Sequence, residues 1–250
     1  MPLLTDPEQI EREYARIEST FAKLSDLIKI PTVDSDEKLI AIDPSRGIIS
    51  GYKGKVDMRS ILGGIIYVRE GVYERLLQAH QELRGLNSDL TFDVHYGYRL
   101  YETQVGYFEK ALARVKAYNL EHACGWSDEE IHDRAHWYAA FPEIAGHPTG
   151  GAIDLVLHNK RLAGPVDMGM GGVSAGPLIR KIYFASPEID DEAAENRMIL
   201  RTSMESAGFH GFAGEYWHHS YGDREWAFHT GASNAIYAPL SLIEAEKIIA

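Results

Sequence analysis

The sequence predicts an α+β fold, with helices packed against a mostly antiparallel sheet. Long stretches carry apolar residues at the three- and four-residue spacings of a helix. Short runs alternate apolar and polar residues between Gly-rich turns, as half-buried strands do. The two kinds of stretch do not follow one another in the regular order that a parallel βαβ sheet requires.

Taken in order, residues 7–28 read as one amphipathic helix, with Ile10, Tyr14, Ile17, Phe21, Leu24 and Ile28 on its inner stripe. The next stretch, about 31–60, is rich in Asp, Ser, Gly and Lys without a period, and reads as irregular. Residues 1–60 are therefore expected to be an N-terminal piece packed on a main domain of residues 61–250. "REGVYERLLQAHQELRG" (69–85) predicts a second helix, with Val72, Leu76, Leu77 and Leu83 inward and Gly85 as its stop. "LTFDVHYGYR" (90–99) alternates like a strand and turns at Gly97. A third helix is expected over 102–118. "SDEE" (127–130) has the capping-box spacing, Ser127 with Glu130, and opens a short helix towards His136. "AIDLVL" (152–157) predicts a strand with Ile153, Leu155 and Leu157 on one face and Asp154 on the other. A Gly-rich loop follows at 169–176, then a helix over 189–206 that ends near Gly208. The aromatic tail segments "GEYWHHSYGD" and "EWAFHTG" read as β-like.

A chain of 250 residues can bury one sizeable core. Its formal charge of −12 argues against a nucleic-acid partner, which selects a basic face. Cys124 is the only cysteine, which excludes an internal disulfide and a cysteine-based zinc site. No secretory pattern is visible, and the most apolar run, "ILGGIIYV" (61–68), is too short to span a bilayer. A cytoplasmic protein with no membrane partner is expected; its oligomeric state is not legible.

The chemistry gathers in two places. In "AGHPTGGAID" (145–154), His147 sits on a Gly/Pro-rich loop seven residues before Asp154. Gly150 and Gly151 would let the loop fold back so that imidazole and carboxylate converge on a metal; the plain alternative is a turn with polar decoration. "EYWHH" (215–219) can supply a third ligand in His218 and a proton acceptor in Glu215, matching the three ligands and one general base of an open zinc site. That arrangement requires a bend near Gly214, since positions i and i+3 of a straight strand face opposite ways. His219 is the alternative ligand, and an aromatic strand with a satisfied histidine is the bland reading. His80, His122, His132, His136 and His158 fit structural or surface roles. "GVSAG" (172–176) matches a nucleophile elbow around Ser174, with Asp223 and His229 following in order, but it lacks the flanking strand and helix. "GMGG" (169–172) is no dinucleotide fingerprint, because Ser174 stands where its third Gly would fall.

Five segments in order, "GYR" (97–99), "HPTGGAID" (147–154), "DMG" (167–169), "NRMILRTSMESAGF" (196–209) and "GEYWHHSYGD" (214–223), resemble the D-alanyl-D-alanine dipeptidases. These are zinc peptidases of the vancomycin-resistance type, related in fold to D-Ala-D-Ala carboxypeptidases and hedgehog domains. The resemblance covers about 90–230. It implies one zinc ion on His147, Asp154 and His218, Glu215 as general base and acid, and Arg99 stabilising the oxyanion. It also implies that Asp167 holds the amino group of a small dipeptide substrate. Three positions depart from the family pattern: Ala145 replaces a Ser, Tyr96 an Asp and Leu100 a Pro. Tyr96 and Ala145 fall at the amino end of the family's substrate, so that pocket is expected to differ while the cleavage residues are all present. The implied function is a zinc dipeptidase for D-Ala-D-Ala or a similar small D-amino-acid dipeptide. The alternatives are a D,D- or L,D-carboxypeptidase for peptidoglycan peptides and a non-catalytic zinc-holding module.

Overall fold

The computed structural model describes residues 3–52, 56–171 and 179–249. Its helices are α1 (Pro7–Glu18), α2 (Leu24–Leu27), α3 (Val56–Leu62), α4 (Glu70–Leu86), α5 (Tyr101–Glu121), α6 (Asp128–Tyr138), α7 (Asp191–Ser206), α8 (Arg224–Thr230) and α9 (Leu242–Ile248). The strands are β1 (Leu39–Ala41), β2 (Ile49–Ser50), β3 (Tyr67–Arg69), β4 (Leu90–Tyr96), β5 (Ala152–Asn159), β6 (Gly164–Pro165), β7 (His210–Gly211) and β8 (His218–Ser220). The main sheet runs β2-β4-β5-β8-β7, with β6 paired to β5 beside this path. Every pairing in it is antiparallel except that of β2 with β4, so the α+β expectation holds with a mixed sheet.

The centre of the sheet is dictated by β5. Ile153, Leu155 and Leu157 are fully buried, joining Phe92 and Val94 of β4, Val72, Leu76 and Leu83 of α4 and Leu200 and Met204 of α7 in one core. Each such side chain removed from water contributes about 1.5–3 kcal/mol. Leu39, Ile42, Ile48, Tyr52 and Met58 enter the same core from the N-terminal segment. On another side, α5 and α6 pack through Phe108, Ala111, Val115, Ile131 and Ala135. The Ser127–Glu130 capping box that starts α6 has both of its bonds.

Four local expectations need correction. The helix read over 7–28 breaks after Glu18: the Ser19 and Thr20 hydroxyls bond back to Arg16 and Ile17 carbonyls, competing with helix continuation. The chain restarts at α2, whose first N–H groups include Leu24 N, capped by Asp133 at 2.9 Å; Leu27 is then buried and Ile28 exposed. Residues 31–60 hold β1, β2 and the start of α3, with strands of three and two residues that are too short to show a period. Gly85 lies inside α4, which ends one residue beyond it and is capped at Asn87. Finally, 224–230 is helical, because Asp223 caps α8 by accepting from Trp226 N at 2.8 Å. The stretch 172–176 with Ser174 lies outside the described residues.

Candidate active site

Strand register builds the site. Asp154 on β5 lies opposite Tyr96 of β4 on one side and opposite His218 of β8 on the other. Directly opposed residues share a face, so these three side chains stand together on the face away from Ile153 and Leu155. His147 arrives from the 3-10 turn His147–Thr149 just before β5. Gly150 closes this turn at φ +74°, and a Cβ there would lie 2.6 Å from Leu39 Cδ2, so glycine is required twice over. Buried Arg69 clamps the turn from below, donating Nε to Thr149 O at 2.8 Å while its other nitrogens reach Glu37 O and Asp34. The chain after β4 holds it from the side, with Arg99 N donating to His147 O at 3.1 Å.

His147 Nδ1–H donates to Gly97 O at 2.8 Å, which leaves Nε2 as the lone-pair nitrogen, 3.2 Å from Asp154 Oδ1. His218 Nδ1 lies 3.0 Å from the same oxygen. One donor atom from each of the three residues falls within 4.8 Å of the others. Burial pushes the His147 imidazole down to about 4, against the pull of Asp154. In its neutral form the Nε2 lone pair lies on the same side as the Asp154 oxygen, where one cation can bridge the two. Burial opposes charge on Asp154 too, yet the two imidazoles hold its carboxyl well below the usual range. Two imidazoles and a carboxylate, one imidazole oriented by a backbone carbonyl, are a donor set that fits zinc.

Glu215 lies in the turn that the sequence reading required: His218 N donates to Glu215 O at 3.2 Å, so the chain bends before β8. Gly214 permits this bend, since a Cβ there would lie 2.5 Å from the Phe212 ring. Burial, reinforced by the charge of Asp154, raises the Glu215 carboxyl to about 7. Arg99 is 9% exposed; its guanidinium donates to Gln104 Oε1 at 2.7 Å and stacks over Tyr96 at 4.2 Å and Tyr107 at 4.9 Å. Gln104 is itself fixed by Ala140 O at 2.6 Å. All of these residues line one cavity of about 680 Å³, bounded by α5, the end of α6 and the ends of β4, β5 and β8.

The structure thus brings together His147, Asp154, His218, Glu215, Arg99 and Tyr96. Tyr96 is fully buried, its ring against those of Tyr52 and His147. Asp167 is not brought in: it is exposed, outside the cavity lining, with Oδ1 accepting Gly169 N at 2.8 Å. His219 points away from Asp154 and is fully buried, Nδ1 against Trp217 O. His80 bonds Thr91, His136 accepts Phe141 N, exposed His229 stacks on His210, and Asp223 caps α8. Gln104 and Glu225 were not singled out in the sequence. Gln104 comes from a helix read from periodicity alone and Glu225 from a segment read as β-like, so spacing could not mark either.

Histidines and a carboxylate converging beside a shielded glutamate and a fixed arginine define a metal-dependent hydrolase. The family model described as D-ala-D-ala dipeptidase, peptidase family M15, matches residues 73–234, and the chain belongs to that family. It is a metallopeptidase, and its cofactor is zinc. A D-alanyl-D-alanine dipeptidase of Synechocystis sp. is 30% identical over 177 residues, covering 64% of this chain and 71% of that protein. Two solved structures are similar over part of the chain. A vancomycin-resistance D,D-pentapeptidase, VanY of a VanB-type cassette in complex with Zn(II), is 18% identical with a TM-score of 0.37, covering 66% of this chain and 80% of that one. The LdcB LD-carboxypeptidase is 15% identical with a TM-score of 0.36, covering 74% of this chain and 70% of that one. Among the described residues no helix is long and apolar enough to cross a membrane.

Proposed function

We propose that the chain hydrolyses D-Ala-D-Ala or a similar small D-amino-acid dipeptide, with zinc held by His147, Asp154 and His218. The convergence of those three donors with Glu215 and Arg99 on one cavity carries this reading. Zinc, when bound, supplies Lewis acidity that activates water and polarises the scissile carbonyl. Glu215 takes the proton of the attacking water on a carboxylate oxygen and hands it to the departing amine. In the metal-free fold burial raises this carboxyl, and a glutamate shielded from bulk water can serve in turn as proton acceptor and donor. Arg99 faces the negative charge that develops on the carbonyl oxygen, and Gln104 holds the guanidinium in place so that little reorganisation is needed. A purely zinc-holding module has no use for either Glu215 or Arg99.

One observation favours carboxypeptidase action on longer peptides as the second reading. Lys110 and Arg114 line the cavity on α5 and are exposed, and neither is in a salt bridge among the described residues. At about 1.5 Å per helical residue they stand roughly 9 and 15 Å beyond Gln104. An extended dipeptide spans only about 7 Å, so an anion met there belongs to a longer substrate. Assaying the zinc form against D-Ala-D-Ala, L,D- and L,L-dipeptides and longer peptides ending in D-Ala-D-Ala separates the readings. Release of D-Ala from the free D,D-dipeptide is expected. Cleavage of the longer peptides alone would transfer the chain to the second reading.

A further inference from the structure

The first turn of α8 presents to the cavity a carboxylate that the cleavage chemistry does not use. Glu225 lines the same cavity as Ala145, Gly146, His147, Glu215 and His218. The loop before α8 packs hard on the turn that carries His147: a Cβ at Gly146 would lie 2.0 Å from Asp223 Oδ2. Asp223 caps α8 through Oδ1 and does not line the cavity, whereas the side chain of Glu225, which does, forms no hydrogen bond or ion pair among the described residues. The neighbouring cations are already engaged, His218 with Asp154 and Arg99 with Gln104. Glu225 is close enough for its charge to act on both Glu215 and His218. An unpaired acid withdrawn from bulk water beside a second acid is unfavourable in the free protein. A cation entering the cavity removes that cost. Asp167, which the family resemblance assigned to the substrate's amino group, lies outside the cavity lining.

We propose that Glu225 receives the ammonium group of the substrate and so selects peptides that bring a positive charge to this end of the cavity. This rests on the peptidase reading of the site. The free α-amino group of a dipeptide and the amine of a lysine-like side chain share the required chemistry. Glu225 is a binding residue, and the proton transfers remain with Glu215.

Steady-state kinetics of the zinc-loaded wild type, Glu225→Gln and Glu225→Asp test it, with D-Ala-D-Ala, N-acetyl-D-Ala-D-Ala and D-Ala-D-Lys as substrates. Glu225→Gln is expected to raise KM for D-Ala-D-Ala about 10- to 100-fold, the loss of one charge-assisted hydrogen bond, without a matching fall in kcat. Glu225→Asp should recover part of the loss, and the acetylated peptide should not distinguish wild type from variant. An effect confined to D-Ala-D-Lys would assign the contact to a side-chain amine. Equal changes in KM for free and acetylated peptides, or a fall in kcat alone, would overturn the proposal. If no D-Ala peptide is cleaved, the peptidase substrate reading fails on its own. Calorimetric titration of D-Ala-D-Ala into the zinc forms then decides the role of Glu225: weaker binding by Glu225→Gln supports it, and equal binding or none by either protein refutes it.

Discussion

Replacing Glu215 by Gln separates catalysis from stability in opposite directions. The carboxyl stands at about 7 against an ordinary value of 4.5, chiefly because burial penalises its charged form. At about 1.4 kcal/mol for each tenfold change in proton affinity, ionising it in the zinc-free fold costs up to about 3 kcal/mol. In the unfolded chain the group ionises near 4.5, so the unfolded state sheds its proton first. The contribution of Glu215 to stability is therefore neutral below that pH, declines as pH rises from 4.5 to about 7, and stays low above. Glu215→Gln lacks this decline. Zinc-free Glu215→Gln should match the wild type at about pH 4 and exceed it at pH 8 by up to about 3 kcal/mol. For a chain of this size that is a gain of up to roughly 6–12 °C in Tm. The zinc-loaded variant should bind its metal normally and lose about 10²- to 10⁴-fold in kcat, the usual contribution of proton transfer. Thermal unfolding at the two pH values, beside zinc content and turnover of the same preparations, reads all three quantities. Turnover within tenfold of wild type would remove Glu215 from the mechanism. Loss of turnover together with lower stability at pH 8 would show that the residue is structural.

Three further outcomes follow from the same geometry. Zinc should bind the metal-free chain at one equivalent, and His147→Ala should abolish most of that binding. Despite burial, the hydrogen bond to Asp154 raises His218 to about 9, so zinc must displace a proton, and affinity should weaken as pH falls below about 9, by about tenfold per pH unit. Calorimetry in buffers of different ionisation enthalpy measures the released proton, and a flat affinity between pH 6 and 9 would contradict it. Arg99→Ala should lower kcat by about 10²- to 10³-fold while changing KM much less, because its contact strengthens as charge develops on the carbonyl oxygen. A rise in KM at constant kcat would make Arg99 a ground-state binder instead.

How much of this was legible depends on whether a residue's role is written locally or across the fold. His147, Asp154, Glu215 and His218 lie in two short motifs whose glycines announce the required turns. The positive φ of Gly150 and the bend after Gly214 are what the spacing had demanded. The single-face burial of β5 was equally readable, since Ile153, Leu155 and Leu157 alternate with Asp154. The β-like reading of the tail holds at β8 and fails at 225–231, where aromatic composition outweighed punctuation. Gly222 at φ +77° followed by Asp223 is a turn and an N-cap, and "SLIE" at 241–244 is the same capping box recognised at 127–130.

Glu225 was hidden for a different reason. Its proposed role depends on its side chain having no partner among the described residues, and no local pattern records that. The same holds for Gln104, which is an ordinary α5 residue until Arg99 and Ala140 are placed on either side of it. Sequence motifs therefore located the residues proposed to hold metal and move protons. The groups that set what the cavity accepts were fixed only when α5 and α8 packed against the sheet. This division explains how Tyr96 and Ala145 can depart from the family pattern while the cleavage residues remain. Metal ligation and proton transfer demand particular atoms at particular places, whereas an ammonium can be met by any carboxylate on any element that reaches it. Glu225, which lines the cavity from α8, is the carboxylate proposed to meet that looser requirement.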